Sequence, residues 1–356
     1  MRDQRGFALL AVMLVLALLG VVVTEFVFSM RLEASMVRSY KDSVLAGYLA
    51  EGGVQQALRE LLSTADVHWL DETGDLVLYK IPAGGTQPTR LPSMPRTRVP
   101  LGSGEFTYRI TDEEARININ TAPVDRIDRL LIALGIEKRD RDIINDSLQD
   151  WKDSDSLARP NGAESEDYYL RLPVPYRARN TQMQDVRELL QIRGITPEVY
   201  WGAPGKPGLV DFVTVIGRDT VNINTAPVPV MKALGLSDAE ISSIVQTRAR
   251  EPFPTVPGRF AGRGFTVNSS TFRIEADGLR AGQPRARVVA IVQRRAAVPS
   301  TRPAGAGQPT APPQGGVRSP SQQPGQPGAQ PLVQSQSVSS DIGAVILSWR
   351  LVANPS

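Results

Sequence analysis

The chain reads as an α+β protein: a long N-terminal helix comes first, then an antiparallel sheet interrupted by a large inserted α-helical domain. Three observations predict this. Residues 7–62 carry an apolar and then an amphipathic pattern without a proline. Strand-like alternation occurs at 105–110 and does not return until after 270, whereas the stretch between, 120–250, repeats with helical period. At 356 residues the chain is long enough for two separate cores.

The first helix rests on two adjoining patterns. Phe7 to Val23 is an apolar run, and Phe26–Phe28 extends it toward the length of a bilayer span. Arg2 and Arg5 precede the run, so the positive-inside rule keeps the N-terminus in the cytoplasm and sends the remainder out. Val21-Val22-Val23-Thr24-Glu25-Phe26 offers no small-residue cleavage site, so the apolar segment is expected to be retained. Beyond it, Val44, Leu45, Tyr48, Leu49, Val54, Ala57, Leu58, Leu61 and Leu62 recur at three- and four-residue spacing. Span and amphipathic stretch together predict one helix of about 84 Å, at ~1.5 Å per residue. Gly52-Gly53 is where it would bend.

The basic leader, Gly6, and Phe7 opening the apolar helix resemble the type IV pilin-like leader. In that family a prepilin peptidase cuts after the glycine, and the new N-terminal phenylalanine is methylated. The resemblance therefore makes Gly6 and Phe7 the processing site. Most pilins carry a glutamate at the fifth mature position, thought to neutralise the buried terminal amine of the subunit above; here that position is Ala11. A carboxylate without such a partner would be costly in an apolar bundle. Lack of the glutamate is a trait of the protein K minor pseudopilins of type II secretion, which are placed at the filament tip. A plain signal anchor on an unrelated exported protein is the other reading of this segment.

After the helix, Pro82, Pro88, Pro92, Pro95 and Pro100 mark an irregular stretch, and the sheet is predicted to begin at Glu105–Ile110. Further strands are predicted at 271–277, 285–294 and 343–352, with turns at Asp277-Gly278 and Gly282-Gln283-Pro284. The clearest helical pieces between them are DRIDRLLIALG, RDIINDSLQDW, DVRELLQIRG, VPVMKALG and DAEISSIVQTR. This arrangement is again similar to protein K pseudopilins, in which a helical domain interrupts a pilin-like sheet packed on the long helix. The expected organisation is a leader at 1–6, the transmembrane part of the helix at 7–29, a pilin-like domain at 30–117 and 251–296, an α-domain at 118–250, and a C-terminal strand at 341–356. Residues 297–340 are dominated by Pro, Gly, Gln and Ser and cannot bury enough apolar surface to offset their chain entropy. They predict a disordered loop inside a hairpin, or alternatively a linker to a C-terminal tail.

Two segments repeat. Arg116-Ile-Asn-Ile-Asn-Thr-Ala-Pro123 leads to Leu131-Ile-Ala-Leu-Gly135, and Thr220-Val-Asn-Ile-Asn-Thr-Ala-Pro227 leads to Met231-Lys-Ala-Leu-Gly235. A partial third copy is Glu188–Ile195. An asparagine or threonine is expected to cap each helix, proline to occupy its first turn and glycine to end it. The pattern also resembles helix-hairpin-helix DNA-binding repeats, which makes a membrane protein of DNA uptake the rival function. Those hairpins bind phosphate through a glycine-apolar-glycine turn flanked by bases, whereas Gly135-Ile-Glu-Lys and Gly235-Leu-Ser-Asp lack the second glycine and carry acids. Protein K members carry the same N-x-N-T-A segments.

The most chemically suggestive stretch is acidic: Asp150-Trp-Lys-Asp153-Ser-Asp155, then Gly162-Ala-Glu164-Ser-Glu166-Asp167-Tyr-Tyr169, then Pro175-Tyr176 and Asn180. Calcium takes six to eight hard oxygen ligands in irregular geometry, which such a loop can supply, although the spacing is not that of an EF-hand. A solvated acidic loop is the plainer reading, and a carboxylate pair in acid–base catalysis has no nucleophile in sequence beside it. D-W-x-D-x-D, G-A-E-x-x-x-Y-Y and P-Y-x-x-x-N form the most specific stretch shared with protein K pseudopilins, some of which bind calcium in the helical domain. The resemblance makes Asp150, Asp153, Asp155, Glu164, Asp167 and Asn180 the candidate ligands.

Composition removes other chemistries. Forty Lys+Arg against 37 Asp+Glu leave a net charge of only +3, so no nucleic acid partner is expected. Cysteine is absent, and the single histidine, His68, fits a surface or packing position better than a catalytic triad. The resulting expectation is a non-enzymatic, single-pass subunit of the bacterial inner membrane. Its N-terminus would be cytoplasmic and the bulk of the chain periplasmic. Its partners, by resemblance, are prepilin peptidase and the minor pseudopilins I and J, with which it initiates or caps a pseudopilus.

Overall fold

The computed structural model describes residues 5–63, 65–71, 74–294 and 343–353. Most of the expected leader and the whole 297–340 loop therefore lie outside the described residues.

Helix α1 runs Arg5–Leu61 as one element, helical through Gly52 and Gly53. Its N-terminal half is bare: from Leu9 to Phe28 the large apolar side chains are all exposed. Its C-terminal half buries a stripe at Ala46, Ala50, Val54, Ala57 and Leu61, whose spacing of three and four lays them along one face. Two short strands follow, β1 (Val67–Leu70) and β2 (Leu76–Lys80), which pair antiparallel, with β3 (Thr89–Arg90) beside β2. This small sheet is absent from the sequence reading, which began the strands at Glu105. The reason lies in burial, since three consecutive residues are buried in both β1 and β2, leaving no two-residue alternation to detect. Strands β4 (Val99–Leu101) and β5 (Gly104–Asp112) then open the main sheet.

From Ile117 the chain leaves that sheet and builds a second unit. Its elements are β6 (Ile117–Asn118), α2 (Val124–Ala133), α3 (Lys138–Lys152), α4 (Pro197–Trp201), β7 (Gly202–Ala203), β8 (Lys206–Pro207), β9 (Val213–Thr214), β10 (Val221–Asn222), α5 (Val228–Ala233), α6 (Asp238–Arg248) and β11 (Phe265–Thr266). β6 pairs with β9 and β10 with β11, both parallel, and α2 packs on α5. The partial third repeat forms a 3-10 segment at Val186–Gln191 in place of an α-helix. The core of this unit takes in Phe253, Phe260, Phe265 and Val267 as well as the helices, so the helical unit extends past residue 250.

The chain returns through β12 (Thr271–Arg280), β13 (Gln283–Arg294) and β14 (Ala344–Ala353), completing an antiparallel sheet of order β14-β13-β12-β5-β4. Asp277-Gly278 is not a turn but sits inside β12, and the hairpin reverses at Ala281-Gly282, both with positive φ. Gly278 has a different task. A Cβ there would lie 1.8 Å from the carbonyl oxygen of Ala46, so its missing side chain is what lets α1 settle onto the sheet.

The two cores meet at three consecutive buried acids. Asp112 accepts from Asn222 Nδ2, Thr225 Oγ1 and Ser269 Oγ. Glu113 pairs with Arg116 and Arg273. Glu114 accepts from the backbone of Ser270 and Thr271 and from the Ser270 hydroxyl. Each carboxylate thus ties the outgoing strand to the returning one. His68 lies in the same joint, fully buried, its Nδ1 accepting from Ser269 N–H at 3.0 Å.

Candidate functional site

The acidic site grows from the C-terminal end of α3. Asp150 and Asp153 are one helical turn apart there, and Asp153 is the residue that ends the helix. The following loop is clamped by Arg159, whose guanidinium reaches Asp150 and Asp153, each at 2.6 Å, while its backbone N–H donates to Asp150. Asp150 is fully buried and already neutralised, so it braces the loop from behind. Below lies an aromatic floor. Trp151 meets Tyr169 edge-on at 5.3 Å, Tyr169 contacts Tyr176, and the Tyr169 hydroxyl accepts from Arg193 N–H. Arg193 in turn donates to the carbonyl of Gly162 and lies over the Tyr168 ring, fixing the segment that carries Glu164.

Of the six residues singled out from sequence, three converge. Carboxylate oxygens of Asp153, Asp155 and Glu164 lie within 4.8 Å of one another. Asn180, in a left-handed conformation with φ 50°, leans toward them by donating Nδ2 to the carbonyl of Asp155 at 2.6 Å. Asp167 stays apart, exposed and facing Arg171. Arg159 and Arg193 were not anticipated, because neither occupies a position with a sequence signature and both act through a loop that only folding closes.

This donor set fits a hard cation. Asp153 Oδ1, Glu164 Oε1 and Asn180 Oδ1 are buried acceptors without a hydrogen-bond partner, which is expensive unless something positive faces them. Two ligands opposite each other on calcium at about 2.4 Å stand about 4.8 Å apart, so the spacing suits that ion as well. Burial pushes the Glu164 carboxyl up, and the neighbouring charges of Asp150, Asp153 and Asp155 add to the effect.

The repeated N-I-N-T-A segments do something other than cap helices. Pro123 and Pro227 stand at the caps just before α2 and α5, which have no side-chain cap hydrogen bond. Instead Asn118 and Asn222 each accept from the N–H two residues on, forming matching local turns. Asn120 then exchanges two hydrogen bonds with the backbone of Met183, and Asn224 exchanges two with the backbone of Phe253. The helix ends also match, although α2 has ten residues and α5 six. Gly135 and Gly235 share φ 79°, and Ile136 N–H reaches Leu131 while Leu236 N–H reaches Met231. The lysines near these turns are engaged by acids, Lys138 by Asp142 and Lys232 by Asp238.

Two family models, both described as type II secretion system (T2SS), protein K, match residues 109–202 and 221–265, which span β5, the acidic site and both repeats. Over these residues the chain resembles the type II secretion system protein K family. A protein K of Pectobacterium carotovorum is 31% identical over 181 residues, 44% of this chain and 53% of that relative, so the match spans about half of the relative's length. Protein K of Pseudomonas aeruginosa is 29% identical over 265 residues, covering 71% of this chain and 74% of the relative. A chain from the crystal structure of the GspK-GspI-GspJ complex from enterotoxigenic Escherichia coli shares the fold, with TM-score 0.54 and 18% identity over 74% of this chain and 95% of that one. The α+β, pilin-like fold is thus shared with that chain.

Proposed function

We propose that this chain is a structural minor pseudopilin, without catalytic activity, at the tip of the type II secretion pseudopilus. There it initiates or caps assembly with minor pseudopilins I and J for export across the outer membrane. The observation that carries the reading is α1 itself, a single helix with a bare apolar half and a half seated on a sheet. One helix of this kind is long and apolar enough to cross a membrane. Arg2 and Arg5 favour a cytoplasmic N-terminus and a periplasmic body. The related chain of known structure was crystallised with GspI and GspJ, which supports those partners.

Gly6 and Phe7 are the processing site in this reading, with cleavage by prepilin peptidase and methylation of Phe7. Ala11, exposed on α1 where most pilins have glutamate, suits a subunit with none stacked above it. Asp153, Asp155 and Glu164, with Asn180 beside them, hold calcium, which ties the end of α3 to the loop. The test is the N-terminus of the protein isolated from membranes: a mass beginning at methylated Phe7 is expected, and intact Met1 in cells with active prepilin peptidase defeats the proposal. The DNA-uptake reading has weaker support, since acids occupy the turns of both repeats and neutralise their lysines.

A further inference from the structure

Strand β14 forms one end of the main sheet and has ten residues, long for an edge. Register fixes its two faces. Trp349 and Leu351 oppose Ala290 and Val288, so they lie on the α1 side, and Leu351 approaches Gly47 of that helix. Both remain exposed, at 41% and 56%. The opposite face presents Ser348 and Arg350, across from Ile291 and Val289.

That second face is a groove. A cavity of about 520 Å³ lies between the sheet and the helical unit, lined among others by Arg187, Arg273, Arg350, Tyr200, Trp201 and Ile291. Arg187, Arg273 and Arg350 thus share the lining of one cavity with Tyr200. Arg273 is held by Glu113. Among the described residues, the side chains of Arg187 and Arg350 have no acid partner. The acids on the lining, Asp185 and Asp211, accept from the backbone N–H of Arg187 and Gly208. An open strand edge is thus apolar on one face and cationic on the other.

We propose that β14 and this groove are a docking surface for an extended segment of a partner polypeptide, which adds to the sheet as a further strand and alternates apolar with acidic residues. Main-chain hydrogen bonds to the edge, which is unpaired among the described residues, supply the pairing. Because successive side chains of a strand point to opposite faces, apolar residues meet Trp349 and Leu351 while acidic ones meet Arg350 and Arg187. The surface is independent of the secretion reading, because it follows from strand register and charge.

The test uses the full-length chain in detergent micelles and three labelled nine-residue peptides: alternating Val/Glu, alternating Val/Lys, and a scrambled Val/Glu sequence of the same composition. The alternating Val/Glu peptide is expected to bind by fluorescence anisotropy and to slow amide exchange across 344–352, with the other two at least about tenfold weaker. Arg187→Glu and Arg350→Glu should each reverse the preference toward Val/Lys; Arg187 lies outside the sheet and carries the test if Arg350→Glu lowers the melting temperature. Absence of binding, equal binding of the three peptides, or protection outside β14 overturns the proposal. So does concentration-dependent protection in the chain alone, which would place a second copy on the edge. Protection already complete at the lowest concentration would assign the edge to residues 295–342 of the same chain, and overturns it too.

Discussion

Asn222 donates from Nδ2 to Asp112 Oδ2 at 3.1 Å, joining residues 110 positions apart where the chain leaves the sheet and where the second repeat begins. The same amide group reaches the carbonyl of His68 and the hydroxyl of Ser269. One buried side chain therefore holds together the small sheet, the helical unit and the return strand. The joint is polar because the two cores meet there through backbone and side chains that water cannot reach.

That joint makes stability depend on pH with two opposing slopes. Burial pushes the Asp112 carboxyl from 3.8 up to about 6, against the hydrogen bonds from Ser269, Thr225 and Glu114. Its contribution is complete below its unfolded value and is lost as pH rises through about 6. Burial, helped by the charge of Arg294, pushes His68 from 6.5 down to about 3, so its contribution is complete above its unfolded value and is lost as pH falls through the window below it. Asp112→Asn should leave a profile that rises with pH between 4 and 6. His68→Gln should leave one that falls, each differing from the parent by on the order of 2–3 kcal/mol across the window. Urea unfolding at a series of pH values measures this, and three superimposable profiles would refute it.

Calcium removal gives a second outcome. An ion bound only by the folded state stabilises it, by about 2.7 kcal/mol at a hundredfold excess over Kd. Chelator should lower the melting temperature and calcium restore it. Asp153→Asn with Glu164→Gln should abolish that response while leaving a folded protein. Identical melting curves with and without chelator in the unsubstituted chain would sink the assignment of these oxygens to a metal.

The repeats predict unequal losses from equal substitutions. Asn224→Ala removes two hydrogen bonds to the distant backbone of Phe253, and Asn120→Ala removes two to Met183 and one to the Val215 carbonyl. Asn224 is almost fully buried, so its orphaned partners find no water, whereas Asn120 is partly exposed. Asn224→Ala should cost about 3 kcal/mol and Asn120→Ala about half of that. Chemical denaturation that ranks them the other way would contradict the burial argument.

Gly278→Ala tests the seating of α1. The new methyl would meet the Ala46 carbonyl, a backbone atom that cannot swing aside, so helix and sheet must separate. A loss of about 3 kcal/mol is expected, against less than about 1 kcal/mol for Gly258→Ala, where a Cβ has open space. Similar melting temperatures for the two variants would show that α1 is not held by this contact.

The sequence by itself determined the elements whose information is local. The helical period of α2, α3, α5 and α6 and the alternation of β5, β12 and β13 mark them directly, because each presents one face to a core. The resemblance to protein K rests on the pattern around Gly6 and Phe7, a repeat and an acidic stretch read in order. Tertiary structure decided what depends on distant partners. The strands β1 and β2 are buried on successive residues and carry no alternation. Asp277-Gly278, which has the composition of a turn, is a strand interior because α1 needs the space of its missing side chain. The asparagines of N-I-N-T-A look like helix caps until Met183 and Phe253 arrive from later in the chain. Likewise, six candidate ligands could be named along the acidic stretch, yet only folding showed that Asp153, Asp155 and Glu164 converge, that Asp167 stands apart and that Arg159 pairs with Asp150. Periodicity records which face of an element is buried; it does not record what is buried against it.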